Sequence, residues 1–562
     1  MKRFHSALFL ASVASMALAS GASAQIATPG PNDGDPRLHG AGATAVQEIV
    51  QDEIDATTIS DPNFAAAYLA TGSGLGRQAF RNVTNQLPGQ PTWDTVQYAF
   101  SESGTSASEL TQYNTNVGSY GLKPIQVPKF VLPIALAYNP VYARNTATST
   151  DYRFRVNPAF AAATTQINGV NVGGLRMTRP IVCGIFNGTI TNWNDTALTN
   201  ANGTLSLGDP ADTTFSTVGA PIRLVGRMDR SGTTDIFTRA MKAHCDAILT
   251  EPINKYDTNA EALPYARVAG AADFSGVRAD TPYSLTSTAP LAGPINSIGN
   301  RYYDPVTNTT PSVPGGLDPN PAPGANGTGL FLMADGSSRV AAAIAAAPDI
   351  GTTRVVNGKV GYIGADFIVN AVSGNPNLHA AALNRPSAAG TWHLPSAAAA
   401  TANLNPVNPP ESNNSGAFAN FGTDVRNGIT MARANPLSWH NVLSGMPAAN
   451  AGYPITGASN MLLHTCYKPT NYPSIRKWLE LNIGIPDDRF TNATTGLMAQ
   501  SNIGALPTRW QNAVNQTFIL NSTQVSNGQT LGALDLWMEA AAASGKDHCN
   551  VSTLPGETQP GM

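Results

Sequence analysis

The sequence predicts an α/β protein of two lobes between which the chain crosses twice. Three observations carry this. Apolar β-type runs at 130–138, 222–227, 359–363 and 461–463 alternate with segments of helical spacing. The run at 130–138 follows Lys123-Pro124-Ile125-Gln126-Val127-Pro128, whose two prolines suit a stiff outgoing crossing, and Tyr453-Pro454-Ile455-Thr456 leads into a matching return at Met461-Leu462-Leu463. Finally, 562 residues exceed what one hydrophobic core normally organises.

Taken in order, Lys2 and Arg3 precede an apolar stretch over 7–18, and Ala22-Ser23-Ala24 supplies an A-x-A cleavage pattern before Gln25, so 1–24 is expected to be a secretory signal peptide. No later stretch approaches the roughly 18 uninterrupted apolar residues of a membrane helix, and no cysteine lies near the cleavage site to carry a lipid. A freely diffusing exported protein is expected. Val46, Ile49, Val50 and Ile54 form one helix face entered from Gly40-Ala41-Gly42-Ala43-Thr44. A second glycine turn, Gly72-Ser73-Gly74-Leu75-Gly76, follows Tyr68-Leu69 and opens another short helix. Gly40-x-Gly42-x-x-Ala45 also fits the loose dinucleotide pattern, but Pro36-Arg37-Leu38-His39 is a poor strand and the reading carries little weight.

Between the crossings lie 181–195, the strand and helix start at 222–241, and the strand at 359–363. Two stretches there, about 251–328 and 373–435, have no sustained periodicity and are expected to be loop insertions on the second lobe, where long excursions cost little closure entropy. After the return, Ile475, Trp478 and Leu479 mark one amphipathic helix, and Leu534, Trp537 and Met538 another ending near Gly545. The expected division is 25–126 plus 455–562 as lobe I and 127–454 as lobe II.

Composition narrows the chemistry. Charged residues make up 12% and the net charge is −3, so nucleic acid, which needs a basic surface, is not an expected partner. Cys183, Cys245, Cys466 and Cys549 lie far apart with no C-x-x-C spacing, which argues against a zinc or redox motif. In an oxidising compartment they suit two disulfides. Three pairings are open; Cys183 with Cys245 and Cys466 with Cys549 would each staple segments of a single domain.

The most informative segment is Arg227-Met228-Asp229-Arg230-Ser231-Gly232-Thr233-Thr234. A β-type run delivers Arg227 and stops at residues that favour a helix start, so backbone N–H groups, hydroxyls and a guanidinium converge on one point. That arrangement suits a small tetrahedral anion. A plainer reading is also open, in which Ser231 caps the helix through Ile236, Phe237, Ala240 and Met241 while Arg227 pairs with Asp229.

Four signatures in order, Gly40-Ala41-Gly42-Ala43-Thr44, Tyr98-Ala99-Phe100-Ser101-Glu102, Cys183-Gly184-Ile185-Phe186-Asn187-Gly188-Thr189-Ile190-Thr191-Asn192-Trp193-Asn194-Asp195, and 227–234, resemble those of periplasmic phosphate-binding proteins of the PstS type. The four-cysteine pattern is similar to that of the DING branch. The resemblance spans about 36–550 apart from the two insertions. It implies a type II Venus-flytrap fold, two α/β lobes closing on inorganic phosphate, with two hinge crossings. It implies Thr44, Ala45 and Ser73 as ligands from lobe I, and Arg227, Ser231, Gly232 and Thr233 from lobe II. Asp229 would hold Arg227 in place. Glu102 would accept the proton of hydrogen phosphate, a test that the unprotonated dianion sulfate fails. The sequence departs from the family at Ala45, where Phe is usual, and at Glu102, where Asp is usual. The first removes an aromatic wall, and the second sets the carboxylate one methylene further out.

The resemblance further implies a monomer that serves an ABC-type importer in the periplasm, with no cofactor. DING-like chains suggest an alternative, a secreted or surface protein with a phosphatase or interaction role. Against catalysis, the eight His show no ligand spacing, no Asp/His set clusters, and Ser474-x-x-Lys477 lacks its companion S-D-N and K-T-G motifs.

Overall fold

The computed structural model describes residues 37–82, 96–105, 107–116, 124–160, 165–187, 192–227, 231–245, 331–334, 336–348, 351–369, 377–385, 388–410, 451–464 and 488–515, with shorter pieces between and beyond them. The expected signal peptide, most of 251–328, Asp229, Cys549 and the helical pattern at 534–538 lie outside the described residues. Glu539–Ala540, within the last expected helix, is instead a short strand paired with Cys466–Tyr467.

The fold is built on a ten-stranded sheet. Its main path uses β1 (Leu38–Gly42), β2 (Ala66–Ala70), β3 (Tyr98–Ser101), β4 (Pro124–Tyr138), β5 (Arg223–Arg227), β6 (Asn300–Tyr302), β7 (Phe331–Ala334), β8 (Lys359–Gly364) and β9 (Thr456–His464). They lie side by side in the order β6-β7-β5-β8-β4-β9-β3-β1-β2. One half is parallel around β1, which pairs with β2 and β3, and the other is parallel around β5, which pairs with β7 and β8. The long strand β4 belongs to both. Its first part, to Pro133, pairs with β9, and its last part, from Ile134, pairs with β8. The molecule therefore has the two-lobed plan, and the passage between halves is a single buried strand beside its returning partner.

Proline shapes that passage. Pro128 has no N–H to give the ladder, and the register of β9 shifts between Ser459, opposite Phe130, and Asn460, opposite Pro128. Lys129 is the extra residue of this bulge. Its fully buried ammonium lies 3.0 Å from Glu53 and over the rings of Trp478, Phe130 and Phe100. Trp478 Nε1 donates to the same carboxylate at 3.0 Å.

The principal helices are α1 (Gln47–Ser60), α2 (Ser73–Asn82), α3 (Arg179–Asn187), α4 (Gly232–Cys245), α5 (Gly336–Ala345) and α6 (Ala397–Leu404). α1 buries the expected stripe of Ile49, Val50 and Ile54. The segment before it, expected to be a poor strand, is the central strand of its half, and its glycines are there for packing. A methyl group on Gly40 would fall 1.9 Å from the Tyr98 ring, and one on Gly42, at φ +139°, would fall 2.1 Å from the Phe100 carbonyl. These two glycines thus let β3 approach β1, and Gly76 of α2, where a methyl group would fall 2.3 Å from the Gly42 Cα, lets that helix approach it too.

Residues 377–410, expected as part of a loop insertion, carry regular structure. Ala382–Arg385 pairs with Ala388–His393 and with Arg176–Met177, and α6 buries Ala400 and Leu404 in the principal core. Ala-rich composition concealed a helix whose apolar face is made of small residues. Cys183 of α3 and Cys245 at the end of α4 form a disulfide, as expected. Among the described residues no helix is long and apolar enough to cross a membrane.

Candidate functional site

Parallel strands send their carboxyl ends to one edge, and the turns that follow them form the crevice of an open α/β sheet. Here both halves do so toward each other. From one half come Thr44 and Ala45, in the 3-10 turn that follows β1; Ser73, the first residue of α2; and Glu102, just past β3. From the other come Arg227, the last residue of β5, and the start of α4 at Gly232. All are buried, with Arg227 2% and Glu102 4% exposed.

The two sets meet. Arg227 Nη2 donates to Thr44 Oγ1 at 2.9 Å, and Nη1 donates to Thr233 Oγ1 at 3.3 Å. Ser73 Oγ donates to Glu102 Oε2 at 2.6 Å. A methyl group built on Gly232 would stand 2.3 Å from that oxygen and 2.6 Å from Ser73 Oγ, so the start of α4 abuts the serine–carboxylate pair. Thr44, Ser73, Glu102, Arg227, Gly232 and Thr233, spread over 190 positions, therefore share one buried point. Ala45 sits in the same turn as Thr44. Ser231 precedes α4, where its hydroxyl accepts from the Thr234 amide at 3.2 Å, so the capping geometry is present as well. The pairing of Arg227 with Asp229 lies outside the described residues.

Three further residues reach this point without a signal in the sequence. Ser337, at the start of α5, accepts from Arg227 Nη1 at 2.9 Å. Tyr362 of β8 meets Thr234 Oγ1 at 2.8 Å, stacks on Phe237 at 4.2 Å, and so seats the first turns of α4. Ser459, beside the β9 bulge, donates to Glu102 Oε1 at 3.4 Å. Each lies more than 100 positions from its partner, beyond the reach of any local pattern.

The electrostatics are those of a dry site. Burial pushes the Glu102 carboxyl above its ordinary value, and the Ser73 hydrogen bond and the Arg227 charge oppose that rise. Burial also pushes Asp366, just past β8, well above its ordinary value, with Glu48 and Glu102 adding to the rise. Amides at the starts of α1, α2 and α4 have no partner within their helices, so each start favours negative charge. The arrangement can hold a small anion that carries one proton: guanidinium, hydroxyls and amides donate, and one carboxylate accepts. Among the described residues no three His, Cys, Asp or Glu gather as a metal site would require.

Known proteins give the geometry its context. A model described as the PBP superfamily domain matches residues 22–314. A phosphate-binding protein from an unknown prokaryotic organism is 25% identical over 502 residues, covering 88% of this chain and 97% of its own. Alkaline phosphatase L of Pseudomonas aeruginosa is 24% identical over 487 residues, covering 86% of this chain and 89% of its own. Among solved structures, that of a DING protein superposes with a TM-score of 0.52 at 21% identity, covering 89% of this chain and 96% of that one, a likeness of fold.

Proposed function

Since the chain belongs to the PBP superfamily, we propose that it is an exported solute-binding protein that captures inorganic phosphate between its two lobes and delivers it to an ABC-type importer. The observation that carries this reading is the Arg227 guanidinium bonded to the Thr44 hydroxyl of the opposite half, beside the Ser73–Glu102 pair that faces Gly232. A fork of N–H donors, hydroxyls and helix starts around one acceptor matches hydrogen phosphate, whose O–H donates a hydrogen bond to the Glu102 carboxylate. Thr44, Ala45 and Ser73 are the ligands from lobe I (25–126 and 455–562), and Arg227, Ser231, Gly232 and Thr233 those from lobe II (127–454). Because donors come from both, phosphate stabilises the closed form through contacts that the open form lacks. The relative named for phosphate binding, matched over nearly its whole length, supports the same reading.

Isothermal titration of the mature protein with phosphate and sulfate tests it. Phosphate should bind one-to-one and displace sulfate. Arg227→Ala should weaken phosphate binding by about 3 kcal/mol, because it strips a charge-assisted pair from a buried cleft. Equal affinity for the two anions would remove Glu102 from its role, and binding indifferent to the Arg227 change would remove the site. The kinship with alkaline phosphatase L favours a second reading, phosphoester hydrolysis on the same anion cradle. Turnover of a phosphomonoester by the purified protein, abolished by Arg227→Ala, would decide for it.

A further inference from the structure

We propose that Ser337 is a further residue of the anion cradle, carried into it by the start of α5. The proposal deepens the phosphate-binding reading and rests on it.

The fold places α5 there for a simple reason. β7 lies parallel beside β5, with Ala334 opposite Arg227, so the chain leaving β7 emerges next to the guanidinium. Gly336 turns it at φ +72°, a conformation open to glycine, and Ser337 follows with no exposed surface. Ser337 then makes three contacts. Its Oγ accepts from Arg227 Nη1 at 2.9 Å, its amide donates to Thr44 Oγ1 at 3.2 Å, and the two hydroxyls stand 3.2 Å apart. It thus touches both the cation of one half and the threonine of the other.

Counting protons shows what this triad can still do. A hydroxyl has one proton to give and two lone pairs. Thr44 Oγ1 accepts from Arg227 Nη2 and from the Ser337 amide, and Ser337 Oγ accepts from Arg227 Nη1. Thr44 and Ser337 carry two hydroxyl protons, yet they share a single contact, which uses one. The other proton has no acceptor within the triad, and it lies against the guanidinium that fixes where a ligand oxygen binds. An oxyanion oxygen seated there satisfies that hydroxyl and receives a bond from the Arg227 fork. Ser337 also braces the fork, since one Nη1 is shared between its hydroxyl and that of Thr233.

The test is titration of the Ser337→Ala protein with inorganic phosphate, alongside wild type and Arg227→Ala, with thermal midpoints measured in the absence of phosphate. The expected result is phosphate affinity reduced about tenfold, as for loss of one hydrogen bond to a charged group, with an unchanged phosphate-free midpoint. A crystal structure with phosphate should show Ser337 Oγ within hydrogen-bond distance of an anion oxygen. Wild-type affinity in Ser337→Ala overturns the proposal, and so does a weakened affinity that comes with an equally lowered phosphate-free midpoint, which would assign the hydroxyl to packing alone. If Arg227→Ala also binds phosphate normally, the underlying site fails with it. If Arg227→Ala loses binding while Ser337→Ala keeps it, only the inference about Ser337 falls.

Discussion

Gly232 shows how little room the closed arrangement leaves. Its Cα faces the Ser73 hydroxyl and the Glu102 carboxylate so closely that a methyl group would overlap both. Gly232→Ala should therefore hold the start of α4 away from the opposite half while leaving the core of each half intact. The expected outcome is a loss of phosphate affinity of at least tenfold with a small change in thermal midpoint, checked by titration and by calorimetry of the same sample. A variant that binds as wild type does would show that the two halves need not approach as closely as they do here. The residues at this point also differ in how far they could be read beforehand. Arg227, Ser231, Gly232 and Thr233 announce themselves because a strand end, a cation and a helix start are contiguous in the chain. Ser337 does not, because the strand before it emerges from an unpatterned stretch and its two partners, Arg227 and Thr44, lie 110 and 293 positions away.

Elements, more than single side chains, set the geometry of the cleft. The bulge that Pro128 forces between β4 and β9 turns Lys129 into the core on one side, and beside it Ser459 and Asn460 bond Glu102 and Ser101 on the other. The prolines were legible in the sequence as a stiff crossing. The bulge was not, since it depends on which residue of a strand more than 300 positions away lies opposite. Breaking a buried ion pair by neutralising one partner leaves the other charge uncompensated, so Glu53→Gln should cost about 3–5 kcal/mol of stability. Urea unfolding followed by tryptophan emission would report it, Trp478 being in the same cluster, and a cost below about 1 kcal/mol would mean that the pair behaves like a surface one. The disulfide acts on a different element. It ties the far end of α4 to α3, and α4 begins at the proposed anion site. With its cysteines 62 positions apart, replacing both by Ala should cost about 4 kcal/mol if unfolded-chain entropy dominates. Denaturant midpoints measured with and without the bridge provide the check, and phosphate affinity should change far less than stability does.

For the molecule as a whole, two opposed sets of buried or half-buried titratable groups contribute to the dependence of stability on pH. His464 sits in the core of one half, with Phe80 stacked on its ring at 4.2 Å and the Tyr113 hydroxyl 2.5 Å from Nδ1. Burial drives its pKa from the ordinary 6.5 down to about 3, and burial likewise drives His244 and His379 to about 4. These three are neutral in the folded protein where the unfolded chain protonates them, so the stability they contribute falls as the pH drops from about 6.5 toward 4. Glu102 and Asp366 work the other way. Their pKa values are raised on folding, so the stability they contribute is present in acid and lost as the pH climbs through those raised values. Phosphate binding should counter the part of that loss due to Glu102, because the O–H of hydrogen phosphate donates a hydrogen bond to that carboxylate. The acid limb is the cleaner test. His464 alone should contribute roughly 1.4 kcal/mol per pH unit over that window. His464→Asn, which keeps a polar side chain beside Tyr113 but does not titrate, should flatten the fall in the unfolding free energy from urea melts between pH 6 and pH 4 by about that slope. An unchanged slope in the variant would mean that His464 is already charged in the folded state, and with it the packing of Phe80, Tyr113 and β9 described here would have to be abandoned.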